Sequence, residues 1–308
     1  MLGSNSEKNS GTVFDEFKNA FSRHNNGHVQ LILINVAVYL FLVAVFVLSR
    51  IGELEPIFDF VRGIFSIPPK FGDFIQRPWT FITYAFAHDW TGIFHILFNM
   101  LALYWFGKLI IEYLGNDKVI AIYLLGAMAG STFYLLMFNT VPYFVRGADF
   151  PGMVGASAAV FAVMVAAATL LPNYTFFLLF FGPVKIKYIA AAYIVLSFIG
   201  TVGPNNGGNL AHLGGALIGF IYIKQLQVGV NWGGWITSTL DWFKGLFDSK
   251  PKVKVSYRKT ENQPRAKNNA FAKATQQEID EILDKISDKG YESLTKDEKE
   301  KLFNASKK

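Results

Sequence analysis

The chain alternates between long apolar stretches and shorter segments rich in proline, glycine and charge. A helix that crosses the hydrocarbon core of a bilayer needs about 20 mostly apolar residues. Segments 29–49, 93–114, 117–138, 155–171, 186–202 and 209–226 meet or approach that length. The fourth is short and rich in alanine, and the fifth lies in a longer apolar run broken at Gly182-Pro183. Only closed hydrogen-bonded elements can cross lipid, so the pattern predicts an all-α membrane protein with a six-helix bundle.

The connection from 50 to 92 breaks the pattern. Pro56, Pro68, Pro69 and Pro78 prevent it from forming one helix. Its aromatics include Phe58, Phe60, Phe65, Phe71, Phe74 and Trp79, a density that suits a loop lying partly in the membrane interface. A packed surface loop is the plainer alternative. After the sixth span, Trp232, Trp235 and Trp242 punctuate a segment of mixed polarity that suits the inner membrane surface. Residues 250–273 read as a basic linker. In the tail, Ile279, Ile282, Leu283 and Ile286 recur at helical spacing, Gly290 stops that helix, and Ser293 or Thr295 caps a second one. The expected division is a cytoplasmic N-terminal segment (1–28), the six-helix domain (29–228), an interfacial segment and linker (229–275) and a small helical tail (276–308) that docks a cytoplasmic partner.

Composition removes several classes of function. The chain is 52% hydrophobic and 16% aromatic over 308 residues, too apolar for a soluble domain of this size. Residues 119–140 and 188–223 contain no charge, while Lys and Arg gather in the last third. The net charge of +6 is therefore a property of the tail. No basic stripe interleaved with aromatics is present, so nucleic acid is not an expected partner. There are no cysteines, which excludes disulfides, zinc–thiolate sites and cysteine nucleophiles. The first 28 residues lack a signal peptide's order of regions, so the first helix is expected to drive insertion. Lys18, Arg23, Lys108, Lys118, Lys185, Lys187 and Lys224 fall on the side that holds both termini. The positive-inside rule makes that side cytoplasmic, and the expected location is a bacterial inner (plasma) membrane.

Polar groups inside apolar helices then become informative, because burying them at membrane depth is costly unless they are paired or wetted. His95 and Asn99 lie near the start of the second span, Ser157 near the start of the fourth and His212 near the start of the sixth. The topology starts all three helices at one face, so the three sites share a level. Asn99 follows His95 by one turn and lies on the same face. Gly215 and Gly219 follow His212 on its own face, and Ala158, Ala162 and Ala166 follow Ser157. Small residues at helical spacing let membrane helices approach closely. Such a crossing would bring the Ser157 hydroxyl to the His212 ring, a nucleophile beside a base. His95, Asn99 and the Ser157 amide would then face a developing oxyanion. Each residue also has an ordinary reading. Serine in a membrane helix often bonds to its own backbone, and a lone histidine can be structural or relay protons. No acidic residue stands near His212, so a dyad is expected and not a triad.

Together these residues resemble the rhomboid family of intramembrane serine proteases over roughly residues 75–225. The stretch RPWTFITYAFAHDWTGIFHILFNM carries the His-x-x-x-Asn pair at His95 and Asn99. GASA at 155–158 stands where the family has Gly-x-Ser-Gly, and AHLGGALIGF matches His-x-x-Gly-x-x-x-Gly at His212, Gly215 and Gly219. The resemblance implies a Ser157 nucleophile, a His212 general base and an oxyanion hole of His95, Asn99 and the Ser157 amide. It implies that Gly155 permits the turn into the fourth helix and that Phe161 packs on the catalytic histidine. It implies transmembrane-helix substrates cleaved near the outer face, with lateral entry past the fifth helix and no metal or organic cofactor. A catalytically silent relative that binds transmembrane clients is the alternative. Two departures stand out. Ala158 replaces the family's usual glycine, and its methyl either tightens the crossing of helices four and six or fills space. Arg77-Pro78-Trp79 replaces a more usual Trp-Arg order in the long loop, so that loop's anchoring is open. His88 is expected either at the mouth of the site or in a structural hydrogen bond.

Overall fold

The computed structural model describes residues 26–149, 152–178, 182–247 and 276–305. Most of the expected N-terminal segment and the basic linker lie outside the described residues. The chain divides into two compact units, 1–249 and 250–308.

The first unit is an all-α membrane bundle of six principal helices. They are α1 (Gly27–Ile51), α5 (Ile93–Leu114), α6 (Asn116–Thr140), α8 (Ser157–Leu170), α9 (Ile186–Gly200) and α10 (Asn206–Gln227). Each falls on its expected segment. The widest difference is at the sixth, expected from 209 and starting at Asn206. Between α1 and α5 the long connection folds into α2 (Glu55–Phe65), α3 (Phe71–Gln76), α4 (Thr80–Thr83) and one 3-10 turn, Tyr84–Phe86. A short α7 (Pro142–Arg146) follows α6.

Among the described residues, α1, α5 and α6 are long and apolar enough to span a membrane by themselves. Helix α8 has only 14 residues, about 21 Å of rise. It tolerates this because it is the core of the bundle and not its wall: residues 158–168 are all buried. A helix surrounded by protein need not match the bilayer's thickness. Its first residue, Ser157, can therefore lie below the membrane surface.

Close helix approach replaces the hydrophobic effect as the organising force, since lipid is as apolar as leucine. A side-chain carbon on Gly215 would overlap the carbonyl oxygen of Ala158, and one on Gly219 would overlap that of Ala162. The backbones of α8 and α10 are thus in direct contact along two turns. Ala158 answers a question left open by the sequence. Its methyl faces Gly130 of α6, where an added carbon would lie 2.6 Å from it. The extra methyl fills the α6–α8 contact and leaves the α8–α10 crossing to glycine.

One element was not expected. The apolar run before α9 forms an antiparallel hairpin, β1 (Thr175–Leu178) paired with β2 (Gly182–Lys185), with Thr175 opposite Lys185 and Leu178 opposite Gly182. Its Phe176 alternates inward to meet Phe106 of α5 edge-on at 5.4 Å. In sequence this run merges with the fifth span, because a short apolar stretch has no period that separates strand from helix. After α10, helix α11 (Gly234–Phe247) buries Ile236 and exposes Trp235 and Trp242. Gly233 sits against Tyr222 and Ala121, which ties this segment to the start of α6.

The second unit contains α12 (Gln276–Lys289) and α13 (Lys296–Ala305). Gly290 takes a φ of 76° to end the first. Thr295 begins the second with a reciprocal capping box. Its N–H donates to Glu298 Oε2 at 2.7 Å, and the Glu298 N–H donates back to Thr295 Oγ1 at 3.3 Å. Ile282 and Leu294 are the buried apolar pair. Lys285 donates to Glu298 at 2.8 Å.

Gly215→Ala or Gly219→Ala in the intact protein lowers stability by about 1–3 kcal/mol through overpacking. Gly72→Ala, where nothing stands within 4 Å, leaves it within about 0.5 kcal/mol. Denaturation in detergent measures both, and equal effects at the two sites would sink the close-crossing account. In the tail, Lys285 and then Thr295 hold the Glu298 carboxyl at about 2, below its ordinary 4.5. A depressed folded value means the stabilisation exists above pH 4.5 and disappears as pH falls toward about 2. Amide protection factors in α13 drop through that window, and Thr295→Ala lowers them roughly fivefold at neutral pH.

Candidate active site

The site is assembled from α5, α8, α9, α10 and one turn. Ser157 is the first residue of α8, and the approach to it is held by the long connection. Ile67 and Met153 exchange backbone hydrogen bonds at 2.9 and 3.0 Å. The Gly155 N–H donates to the Tyr84 carbonyl at 3.0 Å. Gly155 takes a φ of 147°, a conformation that disfavours any residue with a side chain. Tyr84 is in turn fixed by its own hydroxyl, which donates to the Ala127 carbonyl of α6 at 2.8 Å. Just beyond it, Tyr123 donates to the Ala85 carbonyl at 2.6 Å and accepts from Asn35 of α1 at 3.0 Å.

The long connection anchors itself by capping α2. Arg77 Nη1 donates to the Gly63 carbonyl at 3.2 Å, and Trp79 Nε1 donates to the Ile64 carbonyl at 3.0 Å. The reversed Arg-Pro-Trp order is therefore accommodated by one helix end. A cation and an indole N–H satisfy carbonyls that have no partner within the helix. Exposed Phe60, Phe71, Ile75 and Trp79 give the connection an apolar outer surface.

At the centre, His212 Nε2 lies 2.7 Å from Ser157 Oγ, across the α8–α10 crossing. The imidazole stacks on the Phe161 ring at 4.2 Å and 12°. Tyr193 of α9 meets Phe161 edge-on at 5.9 Å. The other ring nitrogen, Nδ1, lies 3.1 Å from Ser197 Oγ of α9. Ser197 was not singled out from the sequence. It is one serine in an apolar helix, separated from His212 by a loop, and no motif marks it.

Asn99 is buried and donates one amide hydrogen to the His95 carbonyl at 2.9 Å. Its amide carries a second hydrogen. The predicted residues Ser157, His212, His95, Asn99 and Phe161 all border one cavity of about 550 Å³ between α5 and α9. The rest of its lining is largely apolar, including Trp105, Met164, Phe176 and Ile189. His95 also borders a second space of about 550 Å³, where Arg62, Asp89, Asn205 and Asn206 supply polar groups. His88 meets neither expectation. It is buried, its ring stands edge-on to His95 at 5.6 Å, and neither ring nitrogen has a hydrogen-bond partner. Burial, and secondarily His95, push it down to about 3, so it is a neutral wall behind His95. Among the described residues no cluster of His, Asp or Glu is arranged to hold a metal ion.

A serine hydroxyl lies within hydrogen-bond distance of an imidazole across two helices, inside a six-helix membrane bundle. Residues 76–227, about half of the chain, match the rhomboid domain, and this match supports assigning the chain to the rhomboid family. Residues 266–308 match a family of unknown function, DUF6576. RHOMBOID-like protein 12, mitochondrial, of Arabidopsis thaliana is 37% identical over 159 residues, covering 49% of this chain and 47% of the relative. Rhomboid protein 1, mitochondrial, of Saccharomyces cerevisiae is 31% identical over 159 residues, covering 49% and 42%. Inactive RHOMBOID-like protein 8 of Arabidopsis thaliana is 30% identical over 84 residues, covering 27% and 23%. The match thus spans less than half the length of each of these relatives. Their names overturn one expectation: a bacterial plasma membrane was inferred from charge placement, whereas relatives of this chain are mitochondrial. Lys and Arg counts orient a protein relative to its insertion machinery, and they do not identify the membrane.

The turn before Ser157 yields a direct test. Gly155→Ala forces a side chain into the φ of 147°, at about 1–3 kcal/mol of strain. The variant is less stable in detergent, and Ser157 loses its register against His212. Unchanged stability and unchanged reactivity of Ser157 would show that the turn is not under this constraint.

Proposed function

We propose that the protein is an intramembrane serine endopeptidase that cleaves transmembrane helices with a Ser157–His212 dyad. The 2.7 Å contact between Ser157 Oγ and His212 Nε2 carries the reading. Two polar side chains on separate apolar helices have no packing reason to meet at that distance. A hydroxyl becomes a nucleophile only when a base takes its proton.

In this mechanism His212 Nε2 accepts the hydroxyl proton as Ser157 Oγ attacks the scissile carbonyl carbon. The carbonyl oxygen becomes negative and is met by His95, Asn99 and the Ser157 N–H at the start of α8. His212 then passes the proton to the leaving amine, and the acyl group stays on Ser157. Water, activated by the same imidazole, releases it. The polar space bordered by Arg62, Asp89 and Asn205 is the route for that water. The apolar cavity between α5 and α9 receives the substrate segment. A helix must unwind before its backbone can reach Ser157, so substrates carry helix-weakening residues near the cleavage site. The relatives' names support a mitochondrial membrane as the compartment.

The competing reading is a silent rhomboid-like protein that binds transmembrane clients, and a relative named inactive keeps it in view. Reconstitution with a reporter transmembrane substrate separates the two. Ser157→Ala and His212→Ala each lower cleavage by about 10⁴-fold or more, and only the wild type takes up a fluorophosphonate at Ser157. Asn99→Ala lowers kcat by about 10²–10³-fold, the usual loss for one oxyanion donor. Cleavage by Ser157→Ala at the wild-type rate would refute the assignment.

A further inference from the structure

His212 has two ring nitrogens, and both are engaged by serine hydroxyls from different helices: Nε2 by Ser157 of α8 and Nδ1 by Ser197 of α9. The usual behaviour of a serine in a membrane helix is to bond back to its own helix and face wherever packing allows. Ser197 does more than that. It is 4% exposed, whereas its neighbours Leu196 and Phe198 are 64% and 67% exposed. Helix α9 buries few residues, and Ile186, Ala190 and Ser197 form its inner face. Ser197 thus places a hydroxyl on the one inward stripe of an otherwise lipid-facing helix, at the ring of the base.

The chemistry gives this contact a purpose. A neutral imidazole carries one proton, on Nδ1 or on Nε2. It can accept the Ser157 proton only when Nε2 is bare, which requires the hydrogen on Nδ1. A hydroxyl oxygen has two lone pairs and can accept that Nδ1–H. After proton transfer the imidazolium still donates from Nδ1, and the same oxygen stabilises it. We infer that Ser197 is a positioning residue that selects the Nδ1–H tautomer of His212 and fixes the ring toward Ser157, in the place where a carboxylate would complete a triad. The inference rests on the peptidase reading above.

The test uses the full chain in proteoliposomes with the reporter substrate, comparing wild type, Ser197→Ala, Ser197→Thr and Ser157→Ala. Ser197→Ala is expected to lower kcat by about 10–100-fold, the loss typical when the hydrogen-bond partner behind a metal-bound histidine is removed. KM stays within about twofold, because Ser197 does not touch substrate. Ser197→Thr restores the hydroxyl and most of kcat. Nitrogen-15 NMR of labelled histidines supplies a readout that packing alone would not move: His212 holds its hydrogen on Nδ1 in the wild type and shifts toward Nε2 in Ser197→Ala. An active wild type with an unimpaired Ser197→Ala, a threonine variant no better than alanine, or a wild-type His212 protonated on Nε2 overturns the role of Ser197 alone. A wild type that neither cleaves nor takes up the fluorophosphonate overturns the peptidase reading and Ser197's part in it together.

Discussion

Backbone contact between α8 and α10 is the constraint from which the rest of the molecule follows. Gly215 and Gly219 leave room for the Ala158 and Ala162 carbonyls and for nothing larger. That approach sets the separation of two helix axes to the minimum the backbone allows, and the separation sets the distance from Ser157 to His212. A slightly wider crossing would leave the hydroxyl and the imidazole as two isolated polar groups in an apolar bundle, each with its own burial cost. In contact, each satisfies the other. Packing and chemistry are therefore one feature here. The same glycine positions that make the bundle tight bring the serine to the imidazole.

The long connection between α1 and α5 does for Ser157 what the crossing does for His212. It supplies the Ile67 backbone pairing to Met153 and the Tyr84 carbonyl that accepts from Gly155. It is tied to α6 through the hydroxyls of Tyr84 and Tyr123. Asn139 of α6 adds a clamp from below, donating to the Pro69 carbonyl at 2.9 Å and accepting from the Phe71 N–H at 3.0 Å. A connection with several prolines has many backbone groups that no regular helix can satisfy. Side chains of α6 satisfy some of them, and in doing so convert an irregular segment into a rigid ledge. Its aromatic outer surface suits the membrane interface, while its inner edge holds the turn that presents Ser157.

How much of this was legible in the sequence depends on the range of the interactions. The six helices were, because each is dominated by an apolar run. His95, Asn99, Ser157 and His212 were also legible as a set, because polar groups stand out against an apolar background and their order matches a known family. The hairpin at 175–185 was not, because its apolar residues adjoin the fifth helix without a change of composition. The direction of the Ala158 methyl was not, since it depends on which of two neighbouring helices, α6 or α10, the helix presents that residue to. Ser197 was hidden for a related reason. A serine is common in membrane helices, and only the rotation of α9 about its own axis decides whether it meets lipid or His212.

The choice of hydroxyl over carboxylate at that position follows from the surroundings. A carboxylate behind His212 would hold the tautomer more firmly, but it would have to be charged at a site walled by α8, α9 and α10, where an ion loses most of its hydration. The inner face of α9 offers it no compensating cation: Ile186 and Ala190 are its other buried residues. A serine has far less to lose on burial and can still accept the Nδ1 hydrogen. On the peptidase reading the exchange has a cost in catalysis, because a neutral acceptor stabilises an imidazolium less than an anion does. Phe161 limits that cost by holding the ring flat against its own face, so that stacking shares with the hydroxyl the work of orienting the ring.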